Sequence, residues 1–165
     1  PSKKRDLNTL PNTKFLLQNM SHFIALGFGS GLSKKAPGTL GTLVALPFFL
    51  LINETNIIFQ VLFVTVSFFI GLWASNITSE SLKLKDPSCI VIDEVAAFLL
   101  LLILINPNLY QAIYAFILFR LFDIWKPYPI SWLEEKYSGG FGIMIDDIGA
   151  ALMAFIIYTI TNYAF

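Results

Sequence analysis

The chain has 165 residues, of which 56% are hydrophobic and 13% charged, with 16 Phe, a mean hydropathy of +0.69 and a formal net charge of zero. A soluble domain carries about a quarter charged residues, so the composition excludes an ordinary soluble protein; with no basic stripe, it also excludes a nucleic-acid binder. The single Cys89 excludes an internal disulfide and any paired-cysteine redox or metal motif.

Residues 1–11 are polar and read as a flexible N-terminus. They hold no apolar core or cleavage motif of a secretory signal, so insertion is left to the spans themselves. Residues 12–26 place Phe15, Leu16, Met20, Phe23 and Ile24 along one helical face, with Lys14, Gln18, Asn19 and His22 elsewhere. That pattern predicts a helix lying in the cytoplasmic interface, with His22 a surface residue. Residues 27–42, GFGSGLSKKAPGTLGT, form a glycine-rich loop. Its glycines let backbone N–H groups approach an anion, and Pro37-Gly38-Thr39 opens the next segment with free amides at a positive dipole end. Glycines serve close helix contact equally well, and no GK[ST] follows, so the stretch is not a P-loop.

Residues 36–164 hold the apolar spans. Span 1 covers Ala36–Ile52, short and interrupted late by Pro47, so a re-entrant segment is its alternative. Spans 2 to 5 cover Ile57–Ser75, Cys89–Ile105, Leu109–Trp125 and Ile143–Ala164, near the roughly 17–25 residues needed to cross hydrocarbon. Lys3, Lys4, Arg5, Lys14, Lys34 and Lys35 precede span 1; Lys83 and Lys85 follow span 2; Lys126 and Lys136 follow span 4. The connections Asn53–Asn56 and Asn106–Asn108 contain no basic residue, which predicts a cytoplasmic N-terminus. Trp125, Tyr128, Trp132 and Tyr137 gather as an interfacial aromatic belt would. The expected fold is an all-α integral membrane protein, a helical bundle of four to five spans forming one domain over residues 1–165, preceded by the interfacial helix and the glycine-rich loop.

Three spans carry charges at one depth: Asp93 and Glu94, Arg120 and Asp123, and Asp146 and Asp147. With a rise of about 1.5 Å per residue, each set lies about 5–9 Å from the cytoplasmic end of its span. Charges in spans are costly and mark functional sites by default. Arg120, Asp123 and Lys126 follow i, i+3, i+6 and share a ridge. Within Asp93–Glu94 and Asp146–Asp147 the two side chains point about 100° apart, so one can face the centre while its neighbour binds another span. Five acids against Arg120 and Lys126 leave an excess of three negatives. A divalent cation relieves that excess, and hard oxygen ligands suit Mg²⁺. The bland alternative is an Arg120–Asp123 ion pair with the other acids neutral or snorkelling, which requires a separate excuse for each residue.

Residue types exclude several phosphatase chemistries. A Cys nucleophile with an Arg six residues on fails because Val95 stands there; an Asp-x-Asp nucleophile fails because the acids are adjacent; a His nucleophile would need more than His22. Water activated for attack on a phosphate remains.

The stretches LGFGSGLSKKAPGTLGT, IVIDEVAAF, FRLFDIWKPYPI and SGGFGIMIDDIGA, in this order between residues 26 and 150, resemble the bacterial phosphatidylglycerophosphatase A family. The resemblance implies Mg²⁺-dependent hydrolysis of phosphatidylglycerophosphate to phosphatidylglycerol and phosphate, at the cytoplasmic face of the inner membrane. Asp93, Glu94, Asp123, Asp146 and Asp147 are then the expected Mg²⁺ ligands, one of them also serving as base. Arg120 and Lys126 would hold the phosphoryl oxygens, with Ser30, Gly38 and Thr39 as further phosphate contacts. The partner expected is a phospholipid in the bilayer, with no nucleic acid and no obligate protein partner. The alternatives are a small divalent-cation transporter or channel, against which the outer part of span 3, AAFLLLLILI, offers no polar path, and a non-catalytic subunit whose charged layer docks a partner.

Overall fold

The structure is a computed structural model that describes residues 11–164; the expectation of a flexible N-terminus falls, apart from Pro11, outside them. Asn12 accepts a hydrogen bond from the Phe15 N–H at 3.0 Å and opens α1 (Thr13–Gln18). Asn19, in extended backbone, ends that helix and caps α2 (Met20–Ala25) through the Ser21 N–H. The single helix expected over residues 12–26 is therefore two short ones, because an Asn side chain offers the backbone a competing partner. The bend also corrects the expectation for His22, which is buried at 6% exposure. Its ring stacks on Phe15 with centroids 4.0 Å apart, Nδ1 lies 3.1 Å from the Phe15 carbonyl oxygen, and Nε2 lies 3.3 Å from Ser81 Oγ. Helical periodicity could not reveal Ser81, which lies beyond the expected end of span 2 on a helix packed against α2.

A 3-10 segment, Gly27–Leu32, follows. Its backbone turns left-handed through Gly27, Phe28 and Gly29, and Gly31 rests against the Cys89 carbonyl, leaving no room for a Cβ. α3 (Pro37–Ile52) starts at Pro37, whose fixed φ suits the first helical position. Gly41 sits so close to Val91 that a Cβ would come 2.6 Å from the valine Cβ. α4 (Ile57–Leu82) is capped by Asn56, and Gln60 closes the α3–α4 turn on the carbonyls of Ile52, Asn53 and Thr55. α5 (Ile92–Ile105) ends at left-handed Asn106. α6 (Leu109–Trp125) opens with a reciprocal Asn108–Gln111 capping box and ends at left-handed Lys126. α7 (Ile130–Lys136) and α8 (Gly139–Ala164) complete the chain.

The boundaries differ from expectation in three places. α4 continues past Ser75 to Leu82, α5 begins at Ile92 rather than Cys89, and α8 begins at Gly139 rather than Ile143. Polar NITSES is compatible with helix once it has α2 and α8 to lie against. At the start of α8, Gly140 donates its N–H to Asn76 Oδ1 at 2.5 Å, so a side chain on α4 satisfies an end the sequence leaves open.

α5 is the axis of the bundle, packed by α3, α4, α6 and α8 and buried along most of its length. The described residues form helices and no strand. Among them two helices are long and apolar enough to cross a membrane, Ile57–Leu82 and Gly139–Asn162. α3, α5 and α6 have 16, 14 and 17 residues; fourteen residues of helix span about 21 Å, less than a hydrocarbon core of about 30 Å.

Candidate active site

The charged residues of three apolar helices converge because the N-terminal parts of α5 and α8 and the C-terminal part of α6 lie together at one end of the bundle. Asp93 and Glu94 lie in the first turn of α5, Asp123 in the last turn of α6 with Arg120 one turn earlier, and Asp146 and Asp147 two turns into α8. Together with the start of α3 they wall a cavity of about 650 Å³. All seven sequence-predicted charged residues line it, as do Gly38 and Thr39. Ser30 is not brought there: its hydroxyl donates to the Gly27 carbonyl oxygen at 2.9 Å and stabilises the 3-10 turn.

Adjacent acids divide their tasks between neighbours. Arg120 Nη1 pairs with Asp123 Oδ2 and lies 3.6 Å from Glu94 Oε1, and it donates to Thr42 Oγ1 at 3.4 Å. Thr42 in turn donates to the Gly38 carbonyl oxygen at 2.8 Å. Gly38 lies directly under the Glu94–Arg120 pair, where a Cβ would strike the Glu94 carboxylate and come within 3.1 Å of Arg120 Nη2. The glycine-rich segment thus brings α3 against the charged layer, and it faces the cavity through its later part, Lys35 to Thr39.

Lys126 leaves the α6 ridge because its left-handed backbone turns the side chain towards α8. Its ammonium donates to Asp146 Oδ2 at 2.5 Å and to Glu134 Oε1 at 3.1 Å. Burial works against that charge, but the hydrogen bond and charge of Asp146, aided by Glu134 and Asp147, hold Lys126 above the ordinary lysine range.

Asp93, Glu94 and Asp147 each offer a carboxylate oxygen, all within 4.8 Å of one another. Asp93 Oδ1, Glu94 Oε2, Asp146 Oδ1 and Asp147 Oδ2 are buried and have no hydrogen-bond partner, and Arg120 Nε is likewise without one. Unpaired buried carboxylate oxygens at this density are expensive. The donor set is all hard oxygen, with neither His nor Cys among the lining residues, and it fits a divalent cation of the Mg²⁺ type.

Sequence reasoning missed Lys35, Asp86 and Ser88, which also line the cavity. Asp86 lies in the α4–α5 connection, outside any apolar run, so its charge carried no cost that would single it out. Burial pushes its carboxyl up; Lys126 opposes the shift, while Glu134 and Asp123 reinforce it. Its place on the wall depends on the fold of that connection.

A sequence profile described as PgpA, phosphatidylglycerophosphatase A, matches residues 23–162. The chain is 37% identical over 153 residues to phosphatidylglycerophosphatase A of Escherichia coli (strain K12), covering 92% of this chain and 89% of that protein. It is 37% identical over 155 residues to phosphatidylglycerophosphatase A of Haemophilus influenzae, covering 93% and 95%. A putative phosphatidylinositol-3-phosphatase of Bacteroides thetaiotaomicron is 36% identical over 148 residues, covering 85% of this chain and 92% of that one. No solved structure matches the chain. With its profile match running from α2 through α8 and its charged residues gathered around one cavity, the chain belongs to the phosphatidylglycerophosphatase A family.

Proposed function

We propose that this protein hydrolyses the phosphomonoester of phosphatidylglycerophosphate, giving phosphatidylglycerol and phosphate, with Mg²⁺ as cofactor, at the cytoplasmic face of a bacterial inner membrane. The observation that carries the reading is a single cavity walled by paired cations and by carboxylates with unpartnered oxygens, in a chain of this family. Asp93, Glu94 and Asp147 form the core of the cation site, with Asp123 and Asp146 completing the acidic wall. A cation held there neutralises the carboxylates and polarises the phosphoryl oxygens.

The remaining steps belong to the chain's own residues. Arg120, with Nε free, and Lys126 orient the phosphoryl group and stabilise its charge as the bond to the glycerol oxygen breaks. The Gly38 and Thr39 amides at the start of α3 add neutral donors at the positive end of a helix dipole. One carboxylate of the layer takes the proton of the attacking water and returns it to the departing glycerol oxygen, so that the lipid alcohol and phosphate are the products. On this reading α3, α5 and α6 cross the bilayer together with α4 and α8, and basic residues mark the cytoplasmic side. α1 and α2 lie at that surface.

The test is phosphate release by the detergent-purified protein from phosphatidylglycerophosphate, phosphatidic acid and phosphatidylinositol 3-phosphate, each with Mg²⁺ or with EDTA. Metal-dependent release from the first lipid, exceeding the others, is expected. Release chiefly from the inositol lipid would favour the activity named for the Bacteroides relative. No release from any would return the charged layer to an ion pathway or docking surface.

A further inference from the structure

The two ends of the cavity are chemically unlike. At one end, the wall is made by Lys35, Pro37 and Thr39 at the start of α3 and by Ile124 at the end of α6. Ile124 lines the cavity yet is 72% exposed, so it stands at an open mouth. Among the described residues α3 and α6 do not pack against one another along their lengths; each is held by the rest of the bundle, α3 by α5 and α6 by α8. Arg120 reaches across between them, from α6 to Thr42 on α3. Exposed apolar side chains continue from this mouth along both helices, Leu40 and Leu43 on α3 and Leu121 and Ile117 on α6. By helical rise, these four lie within about 12 Å of the mouth, the depth of upper acyl-chain carbons. Trp125 and Tyr128, both strongly exposed, follow Ile124 and mark an interfacial level.

At the other end the cavity continues, past Asp86, Ile143 and Asp146, towards a smaller chamber of about 120 Å³. That chamber is lined by Lys85, Glu134, Tyr137 and Ser138. It has room for only a few waters and carries the charged side chains of Lys85, Asp86, Glu134 and Asp146 on its wall.

We infer that the gap between the start of α3 and the end of α6 is the lateral portal through which the diacylglycerol end of a phospholipid substrate enters, its acyl chains lying on Leu40, Leu43, Ile117 and Leu121, while water and phosphate pass through the charged chamber on the opposite side. The inference rests on the reading of the chain as a lipid phosphomonoesterase. The apolar track meets the cavity at Ile124, so an amphiphile with its hydrocarbon on α3 and α6 has its phosphate delivered to Arg120 and the acidic layer without its chains leaving the bilayer.

Leu40→Trp and Leu121→Trp add bulk at exposed positions on either side of the portal, and Ile58→Trp and Phe69→Trp add it at exposed positions on α4. Each variant is assayed on phosphatidylglycerophosphate in mixed micelles and on water-soluble glycerol 3-phosphate. The portal variants should lose about tenfold or more in kcat/KM for the lipid while keeping the soluble activity within about twofold. The α4 variants should change neither. Equal losses on both substrates, unchanged lipid turnover in the portal variants, or the same loss from α4 would overturn the portal. A second measurement does not depend on turnover: wild-type protein is photolabelled by phospholipids carrying a diazirine on one acyl chain, with either a phosphomonoester or a choline headgroup. Enrichment of the phosphomonoester label on residues 40–43 and 117–124 supports the portal even if no lipid is hydrolysed, which would overturn only the proposed activity. Identical labelling patterns for both headgroups would overturn the portal.

Discussion

Gly38 separates a structural role of the glycine-rich segment from a functional one. In Gly38→Ala the new methyl group would collide with Glu94 Oε1 and come 3.1 and 3.2 Å from the two terminal nitrogens of Arg120. The atoms struck are side-chain ends, so the helix start need not move, but the Glu94–Arg120 pair must. A displacement of about 1 Å in groups that orient a reacting centre costs about 100-fold in rate, or about 2.7 kcal/mol of barrier. Gly31→Ala is the contrasting case, since its Cβ would strike the Cys89 carbonyl oxygen and approach Leu26 Cα at 3.2 Å, both of them backbone. Gly38→Ala should therefore lose about 100-fold in kcat/KM with its melting temperature in detergent little changed, whereas Gly31→Ala should lose stability outright. The assay pairs phosphate release with a thermal-melt profile on the same preparation. Wild-type turnover in Gly38→Ala at unchanged stability would refute the claim that the glycine is there to admit the Glu94–Arg120 pair.

Arg120→Lys should lose about 100-fold or more in turnover, because an ammonium cannot span Asp123, Glu94, Thr42 and a phosphoryl group at once; activity within a fewfold of wild type would sink that role. Asp147→Asn should weaken Mn²⁺ binding, followed by electron paramagnetic resonance, by about tenfold or more, and unchanged affinity would remove Asp147 from the cation site. Asp86→Asn tests the buried acid of the wall through pH. Burial raises its carboxyl in the folded protein, so the folded state holds that proton more tightly than the unfolded one. Its penalty is absent at acid pH, grows as pH rises from the ordinary carboxylate value to the folded value, and is constant above it. The Asn variant should therefore melt higher than wild type at about pH 8 and lose that advantage near pH 4, and an equal difference at both would refute the shift.

What the sequence made legible follows from cost. A carboxylate inside an apolar run is conspicuous because it is expensive there, and that cost singles out Asp93, Glu94, Asp123, Asp146 and Asp147, which the fold gathers on one cavity wall. Asp86 escaped because it sits in a polar connection where acids are ordinary, and only the folding of that connection makes it part of the wall. His22 was misplaced for a related reason. Its burial depends on the Asn19 break and on Ser81, neither of which an amphipathic pattern contains. Ser30 looked like a phosphate ligand because it sits among glycines, yet its hydroxyl is consumed by the turn those glycines form. Helix ends were the weakest part of the reading, since Asn76, sixty-four residues away, settles where α8 begins.

Charge arithmetic and geometry together account for why the site sits where three helices converge. Six carboxylates, those of Asp86, Asp93, Glu94, Asp123, Asp146 and Asp147, face Lys35, Arg120 and Lys126 across the cavity, leaving three excess negatives before any cation binds. An apolar bundle cannot hold that excess on flexible loops, because mobile carboxylates would drift apart or take up protons. Anchoring five of them on α5, α6 and α8, with α3 pressed in through Gly38 and Gly41, fixes their spacing at the cost of mutual repulsion, and only Asp86 comes from a connection. One divalent cation would bring the wall to a single negative charge and a second would make it positive, and on the proposed reading Arg120 and Lys126, already engaged with Asp123 and Asp146, would stand beside the incoming phosphate. On that reading a phosphomonoester dianion would meet an attractive field only after the acids have been neutralised. Binding of the lipid headgroup should depend on prior cation binding, and measurable headgroup affinity in EDTA equal to that in Mg²⁺ would refute this ordering.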